Sequence, residues 1–181
     1  MKRFPALRAF GASLCLALGL VSTPSHAVDG FMVSGGCCAD DANLVRVGAF
    51  WDWESSWFNE GDWHLTGYWE LSGGYWRGED GPEKDVFEVG LTPVFRLEPK
   101  RDGAKPYLEG AIGFHLLSDY KINSKDMSTN FQFGDHIAAG YMFGERGEYD
   151  IQLRLQHLSN ASIEKPNPGI NFIILRFGYR Y

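Results

Sequence analysis

The sequence is poor in cysteine, and its few cysteines do not indicate a metal site. Three occur in 181 residues, and after residue 27 only the adjacent pair Cys37 and Cys38 remains. Adjacent cysteines bridge each other only through a strained ring, so their state stays open between a structural role and unpaired or intermolecular thiols. No nearby Cys or His has the spacing of metal ligands, and no metal or organic cofactor is expected.

Positive charge is not in excess either. The formal net charge is −6, and an acidic surface repels phosphate, so no nucleic-acid partner is expected. Disorder is excluded as well, because 44% of the residues are hydrophobic and a chain of that composition can bury a core. Aromatic residues, at 15%, and glycine, at 22 residues, are abundant. This composition is typical of β-barrels.

Long apolar runs are missing except near the N-terminus. There a positively charged start precedes an apolar stretch at residues 9–21, which is followed by Pro24 and the small-residue end Ser25-His26-Ala27. The pattern predicts a secretory signal peptide at residues 1–27 and a single domain at residues 28–181. A transmembrane helix is disfavoured, because the apolar stretch is shorter than the ~20 residues that cross a bilayer.

The rest of the chain alternates between apolar and polar residues and shows no helical periodicity. Val45 and Val47, for example, flank Arg46, and similar rows recur in about eight segments along the chain. Eight strands are the smallest number usual for a closed outer-membrane barrel. The predicted fold class is all-β: an eight-stranded antiparallel transmembrane β-barrel of the outer membrane. The alternative is a soluble barrel or sandwich with an apolar core.

Charged side chains occupy the face opposite the apolar rows, and they favour the membrane barrel. A dry core excludes charges, whereas a small polar lumen accepts them. Aromatic residues near the strand ends suit a membrane interface, and the final strand with Tyr181 resembles the assembly signal of outer-membrane proteins. The charged residues of this face are Arg46, Glu70, Glu88, Arg96, Glu109, Arg154 and Arg176.

The connections between strands are then expected to alternate between the two sides of the membrane. With both ends of the barrel in the periplasm, four connections face outside, near residues 37–43, 77–84, 118–129 and 160–169. Three connections face the periplasm, near residues 54–61, 98–104 and 144–148. The stretch 118–129 is the longest, as expected for an extracellular loop.

Chemistry is indicated by two polar residues near the end of one strand. Neither a G-x-S-x-G nor an H-E-x-x-H motif is present. His157 and Ser159 are two residues apart, so they project from the same face of a strand, and a His beside a Ser hydroxyl can act as general base. They continue the apolar row of Leu153 and Leu155, so they point toward lipid, where polar groups suggest function. The alternative is that both are interfacial residues at a strand end.

A third group is needed to orient the histidine. A hairpin centred near Glu164 would place Asn171 opposite His157, where its amide can accept a hydrogen bond from the imidazole, and Glu164 is a second candidate. Asn160 is a candidate for the oxyanion hole, through its side chain or its backbone N–H. Asp135 interrupts the apolar row of its own strand, and the pattern offers no reason for it.

Several stretches of the chain match one known family. They are Trp51-Asp52-Trp53, Leu65-Thr66-Gly67-Tyr68-Trp69, Pro93-Val94-Phe95 and Glu109-Gly110-Ala111-Ile112-Gly113. The most specific match is His157-Leu158-Ser159-Asn160-Ala161 followed by Pro166-Asn167-Pro168-Gly169-Ile170. On these residues nearly all of the chain after the leader resembles the lipid A 3-O-deacylase family, also called PagL.

The resemblance implies an outer-membrane enzyme that hydrolyses the ester-linked 3-position acyl chain of lipid A in lipopolysaccharide. It implies that His157 is the base, Ser159 the nucleophile and Asn160 a contributor to the oxyanion hole. The family pattern has Glu as the acid, whereas the matching residue here is Asn171. Two alternatives stay open: a non-catalytic structural or adhesive barrel, and an acyltransferase of similar size. The oligomeric state is also open, with a homodimer as one alternative.

Overall fold

The computed structural model describes residues 27–38, 42–79 and 85–181, and this part of the chain forms strands and turns. The signal peptide expected at residues 1–27 lies, apart from Ala27, outside the described residues. No helix among them has the length and hydropathy to span a membrane.

The eight long strands are β1 (Gly30–Cys38), β2 (Ala42–Asp52), β3 (Trp63–Gly78), β4 (Asp85–Pro99), β5 (Lys105–Leu117), β8 (Phe131–Phe143), β9 (Tyr149–Ser159) and β10 (Ile170–Arg180). Two short strands, β6 (Lys121–Ile122) and β7 (Lys125–Asp126), form a separate hairpin.

The eight long strands form a closed barrel. Each pairs antiparallel with its neighbours in the order β1-β10-β9-β8-β5-β4-β3-β2, and β1 pairs with both β2 and β10. Closure leaves no sheet edge whose backbone N–H and C=O groups would face hydrocarbon without partners. The predicted eight-stranded antiparallel barrel is confirmed.

The apolar rows face outward and the charged rows face inward. Outward-facing Val47, Ile112 and Ile137 are 63%, 62% and 66% exposed, whereas inward-facing Arg46 and Glu70 are each 2% exposed. A soluble protein would bury the first group rather than the second. The soluble alternative is therefore wrong, and the outer wall has the surface that a lipid-embedded barrel requires.

The lumen is filled by paired charges. Glu70 accepts hydrogen bonds from Arg154 at 3.0 Å and from Arg176 at 3.3 Å, and Arg96 forms an ion pair with Glu109 at 2.7 Å. Because an unpaired buried charge is strongly destabilising, each of these groups requires its partner. The barrel is thus a packed, rigid scaffold rather than an open pore.

One end of the lumen is apolar, which the alternation did not predict. The β6–β7 hairpin brings Ile122 and Met127 into a buried cluster with Trp76, Leu158 and Ile170. Both residues lie in the segment that the sequence assigned to a loop. We call the barrel end that carries this hairpin and residues 160–169 the upper rim.

Candidate active site

His157 and Ser159 lie on the outer wall at the upper rim. They are the last two outward residues of β9, and they continue the row formed by the exposed residues Leu153 and Leu155. Both are themselves half-buried, whereas their neighbour Leu158 points inward and is fully buried. Regular strand alternation therefore brings an imidazole and a hydroxyl to one face, as the sequence predicted.

Asn171 lies next to His157 on β10. The two residues are direct partners in the β9–β10 ladder, and Nδ1 of His157 lies 2.8 Å from Oδ1 of Asn171. An amide oxygen only accepts hydrogen bonds, so Nδ1 carries the hydrogen and donates it. Nε2 is then left with its lone pair, which is the tautomer that a general base acting on a hydroxyl needs.

Gly169 supports the imidazole from the preceding loop. Its φ is +64°, a conformation that side chains rarely adopt, and a Cβ there would lie 2.5 Å from Cε1 and 2.9 Å from Nε2 of His157. Its carbonyl accepts a hydrogen bond of 2.9 Å from Nζ of Lys125. The absence of a side chain at this position allows the loop backbone to contact the histidine ring.

Asn160 lies on the inner side, and its donors are engaged. Its side chain is buried, and Nδ2 donates to the carbonyls of Met127 at 2.9 Å and Glu164 at 3.0 Å. Its backbone N–H donates to Oδ1 of Asn167 at 3.0 Å. The expected oxyanion role of Asn160 stays a prediction, and one of these donors would have to be released for it. Glu164 contributes its carbonyl here, while Asn171 occupies Nδ1 of His157.

A groove on the outer wall begins at His157 and runs around the barrel. Its volume is about 890 Å³. Its floor is formed by five outward residues on five adjacent strands, each paired directly with the next across the sheet. These residues are Phe95, Gly110, Ile137, Leu155 and Ile173. Gly110 makes the floor deeper because it has no side chain. We call this feature the outer groove.

Asp135 is the site residue whose role the sequence did not reveal. It is exposed on β8 and is the direct partner of His157 in the β8–β9 ladder. It also lines the outer groove. The break in apolar alternation marked the residue, but its position beside His157 depends on a strand register that alternation does not determine.

The barrel and this site define a class: an outer-membrane β-barrel with a half-buried histidine and serine on its outer wall. The family model described as "Lipid A 3-O-deacylase (PagL)" matches residues 43–180. The chain therefore belongs to the PagL family, and the resemblance seen in the sequence is confirmed. Family membership also confirms the predicted enzyme class, a carboxylic ester hydrolase, and the predicted location in the outer membrane.

Two relatives and one solved structure show the extent of the similarity. The lipid A deacylase PagL of Pseudomonas aeruginosa is 32% identical over 155 residues, covering 85% of this chain and 87% of that protein. The lipid A deacylase PagL of Bordetella bronchiseptica is 32% identical over 107 residues, covering 59% of this chain and 57% of that protein. A crystal structure of the outer membrane enzyme PagL superposes with a TM-score of 0.76 at 29% identity, covering 84% of this chain and 99% of that one.

Proposed function

We propose that this protein hydrolyses the ester-linked 3-position acyl chain of lipid A, with Ser159 as nucleophile and His157 as base. The observation that carries the proposal is the bond from Nδ1 of His157 to Asn171, made on the same outward face as Ser159. It leaves Nε2 free to accept a proton from a hydroxyl. Family membership supplies the substrate class.

The reaction follows from these groups. Nε2 of His157 takes the proton of the Ser159 hydroxyl while Oγ attacks the carbonyl carbon of the ester. The C–O bond to the sugar then breaks, and the imidazolium returns the proton to the leaving sugar oxygen. Water, deprotonated by the same nitrogen, attacks the carbonyl carbon of the acyl-serine; the bond to Oγ breaks, the imidazolium returns the proton to Oγ, and the fatty acid is released. Asn171 holds the tautomer through both steps.

The substrate reaches the site laterally, from within the bilayer. In this proposal the signal peptide at residues 1–27 directs export of the chain. The barrel is then oriented with its upper rim toward the cell exterior. His157 and Ser159 then stand at the level of the outer-leaflet headgroups, where the ester bonds of lipid A lie. The outer groove, lined by apolar residues below His157, accepts an acyl chain without exposing it to water.

Reconstitution with lipopolysaccharide tests the proposal through the mass of lipid A. Wild-type protein is expected to remove one hydroxyacyl chain, and Ser159→Ala is expected to remove none. Ser124→Ala is the matched control, because Ser124 is exposed on the same rim within the β6–β7 turn. Removal that persists in Ser159→Ala contradicts the proposed nucleophile.

A second candidate function is a non-catalytic structural barrel, favoured by the neutral Asn171 at the position of the family's acid. It predicts that folded wild-type protein leaves the mass of lipid A unchanged. A gain of one acyl chain in the presence of phospholipid would instead indicate an acyltransferase.

A further inference from the structure

A single carboxylate interrupts the outward face of β8. The other outward residues of this strand are apolar: Phe131, Phe133, Ile137, Ala139, Tyr141 and Phe143. Asp135 stands among them and is exposed. An ionisable group on a lipid-facing surface is destabilising, and its presence suggests a functional role.

The strand registers place this carboxylate beside the histidine. Asp135 pairs with His157 across β8 and β9, and His157 pairs with Asn171 across β9 and β10. All three side chains point outward, so they form a line of direct neighbours across three strands. Directly opposed residues in antiparallel strands have Cβ atoms about 4.5–5.5 Å apart. His157 therefore lies between a carboxylate on one side and an amide on the other.

The two neighbours differ in what they can do for the histidine. Asn171 fixes the tautomer through Nδ1, but it is neutral and cannot stabilise a positive imidazolium by charge. That charge develops each time His157 takes a proton, at the edge of an apolar groove where electrostatic interactions are stronger than in water. Asp135 lines the same groove and carries the sign of charge that the imidazolium requires.

We propose that Asp135 is the positioning residue that supplies the negative charge of this site. The two tasks of a triad's acid are divided between two strands: Asn171 on β10 fixes the tautomer, and Asp135 on β8 stabilises the imidazolium. Asp135 takes no part in the proton transfer itself: His157 accepts the proton of Ser159 and passes it to the leaving oxygen. This inference rests on the proposed function, because it acts through the general base.

Replacement of Asp135 by its neutral isostere tests the inference in reconstituted full-length protein. Asp135→Asn is expected to lower kcat for lipid A deacylation about 10- to 100-fold, with KM changed less than threefold. This loss is smaller than the about 10⁴-fold loss seen when a triad loses both charge and tautomer, since Asn171 still holds the tautomer. Asp135→Glu keeps the charge and is expected to retain most of the activity.

The double variant separates a charge effect from a packing effect. Asn171→Glu places a carboxylate on the other side of His157. The double variant Asp135→Asn with Asn171→Glu is therefore expected to have a kcat at least tenfold higher than that of Asp135→Asn alone. Asn171→Glu alone is expected to raise kcat by a smaller factor than the same substitution does in the Asp135→Asn background, because Asp135 already supplies a negative charge. Asp85→Asn is the matched control, because Asp85 is an exposed carboxylate at the start of β4, away from the groove.

Two results would overturn the inference alone. One is Asp135→Asn activity within twofold of wild type. The other is a folded Asp135→Asn barrel, verified by its heat-modifiable electrophoretic mobility, whose activity Asn171→Glu fails to restore. Inactive wild-type protein, or activity that survives in Ser159→Ala, would overturn the proposed function and this inference together.

Discussion

Asn171 and Gly169 together fix the orientation of the His157 imidazole. Asn171 accepts the Nδ1 hydrogen at 2.8 Å, and the Gly169 backbone lies close to the ring, where a Cβ would be 2.5 Å from Cε1. A neutral residue is thus sufficient for orientation. The charge that a carboxylate would also supply must come from another residue, and the register brings Asp135 to that place.

Gly169→Ala is expected to lower kcat/KM at least tenfold, because the added Cβ pushes the imidazole out of the position in which Nε2 faces the Ser159 hydroxyl. The φ of +64° adds a backbone penalty of about 1 kcal/mol or more to the folded loop. Lipid A deacylation rates measure the first effect, and urea unfolding measures the second. Gly61→Ala is the control, since a Cβ at Gly61 meets no atom within 4 Å. Equal rates for Gly169→Ala and wild type would show that the loop does not position the ring.

At the scale of strands, alternation predicts which face each residue occupies, and loop length predicts which residues become partners. Both arguments reached His157, Ser159 and the pairing with Asn171, because β9 and β10 are joined by one short connection. Alternation alone did not explain Asp135; the hairpin argument has to be extended to the turn at residues 144–148, which pairs Asp135 with His157. They also missed the apolar cap on the lumen, because Ile122 and Met127 lie in a segment too short and irregular to show periodicity.

The outer groove owes its depth to one residue of β5. Gly110 lies between Phe95 and Ile137 in the strand ladders, and a Cβ there would meet no atom within 4 Å. Gly110→Leu therefore fills the groove without a clash in the barrel wall. We expect a rise of at least fivefold in KM for lipid A with an unchanged urea midpoint, because the lost space is where the acyl chain binds.

Gly73→Leu is the matched control for the groove. Gly73 is exposed on the outer wall of β3, and a Cβ there also has open space around it. Its variant adds the same side chain outside the groove, so wild-type KM is expected. A similar loss in both variants would mean that bulk on the wall, rather than the groove, determines the effect.

At the scale of the whole molecule, the inside of the barrel stabilises the fold and the outer wall carries the candidate active site. Paired charges fill the lumen, as in the contacts of Glu70 with Arg154 and Arg176, and they leave the wall rigid. The outer wall is consequently available for a site that opens to lipid. Three adjacent strands contribute the side chains of that site, two from β9 and one each from β8 and β10, so backbone pairing determines most of its geometry.

The most direct test is covalent capture of the nucleophile in the intact bilayer. A long-chain alkyl phosphonate p-nitrophenyl ester, partitioned into proteoliposomes, reacts with a serine activated by a neighbouring base. Peptide mass spectrometry is expected to find the adduct on Ser159 in wild-type protein and its labelling rate at least 100-fold lower in His157→Ala. An adduct on a different residue, or equal labelling of Ser159 in both proteins, would contradict an outward-facing serine activated by His157.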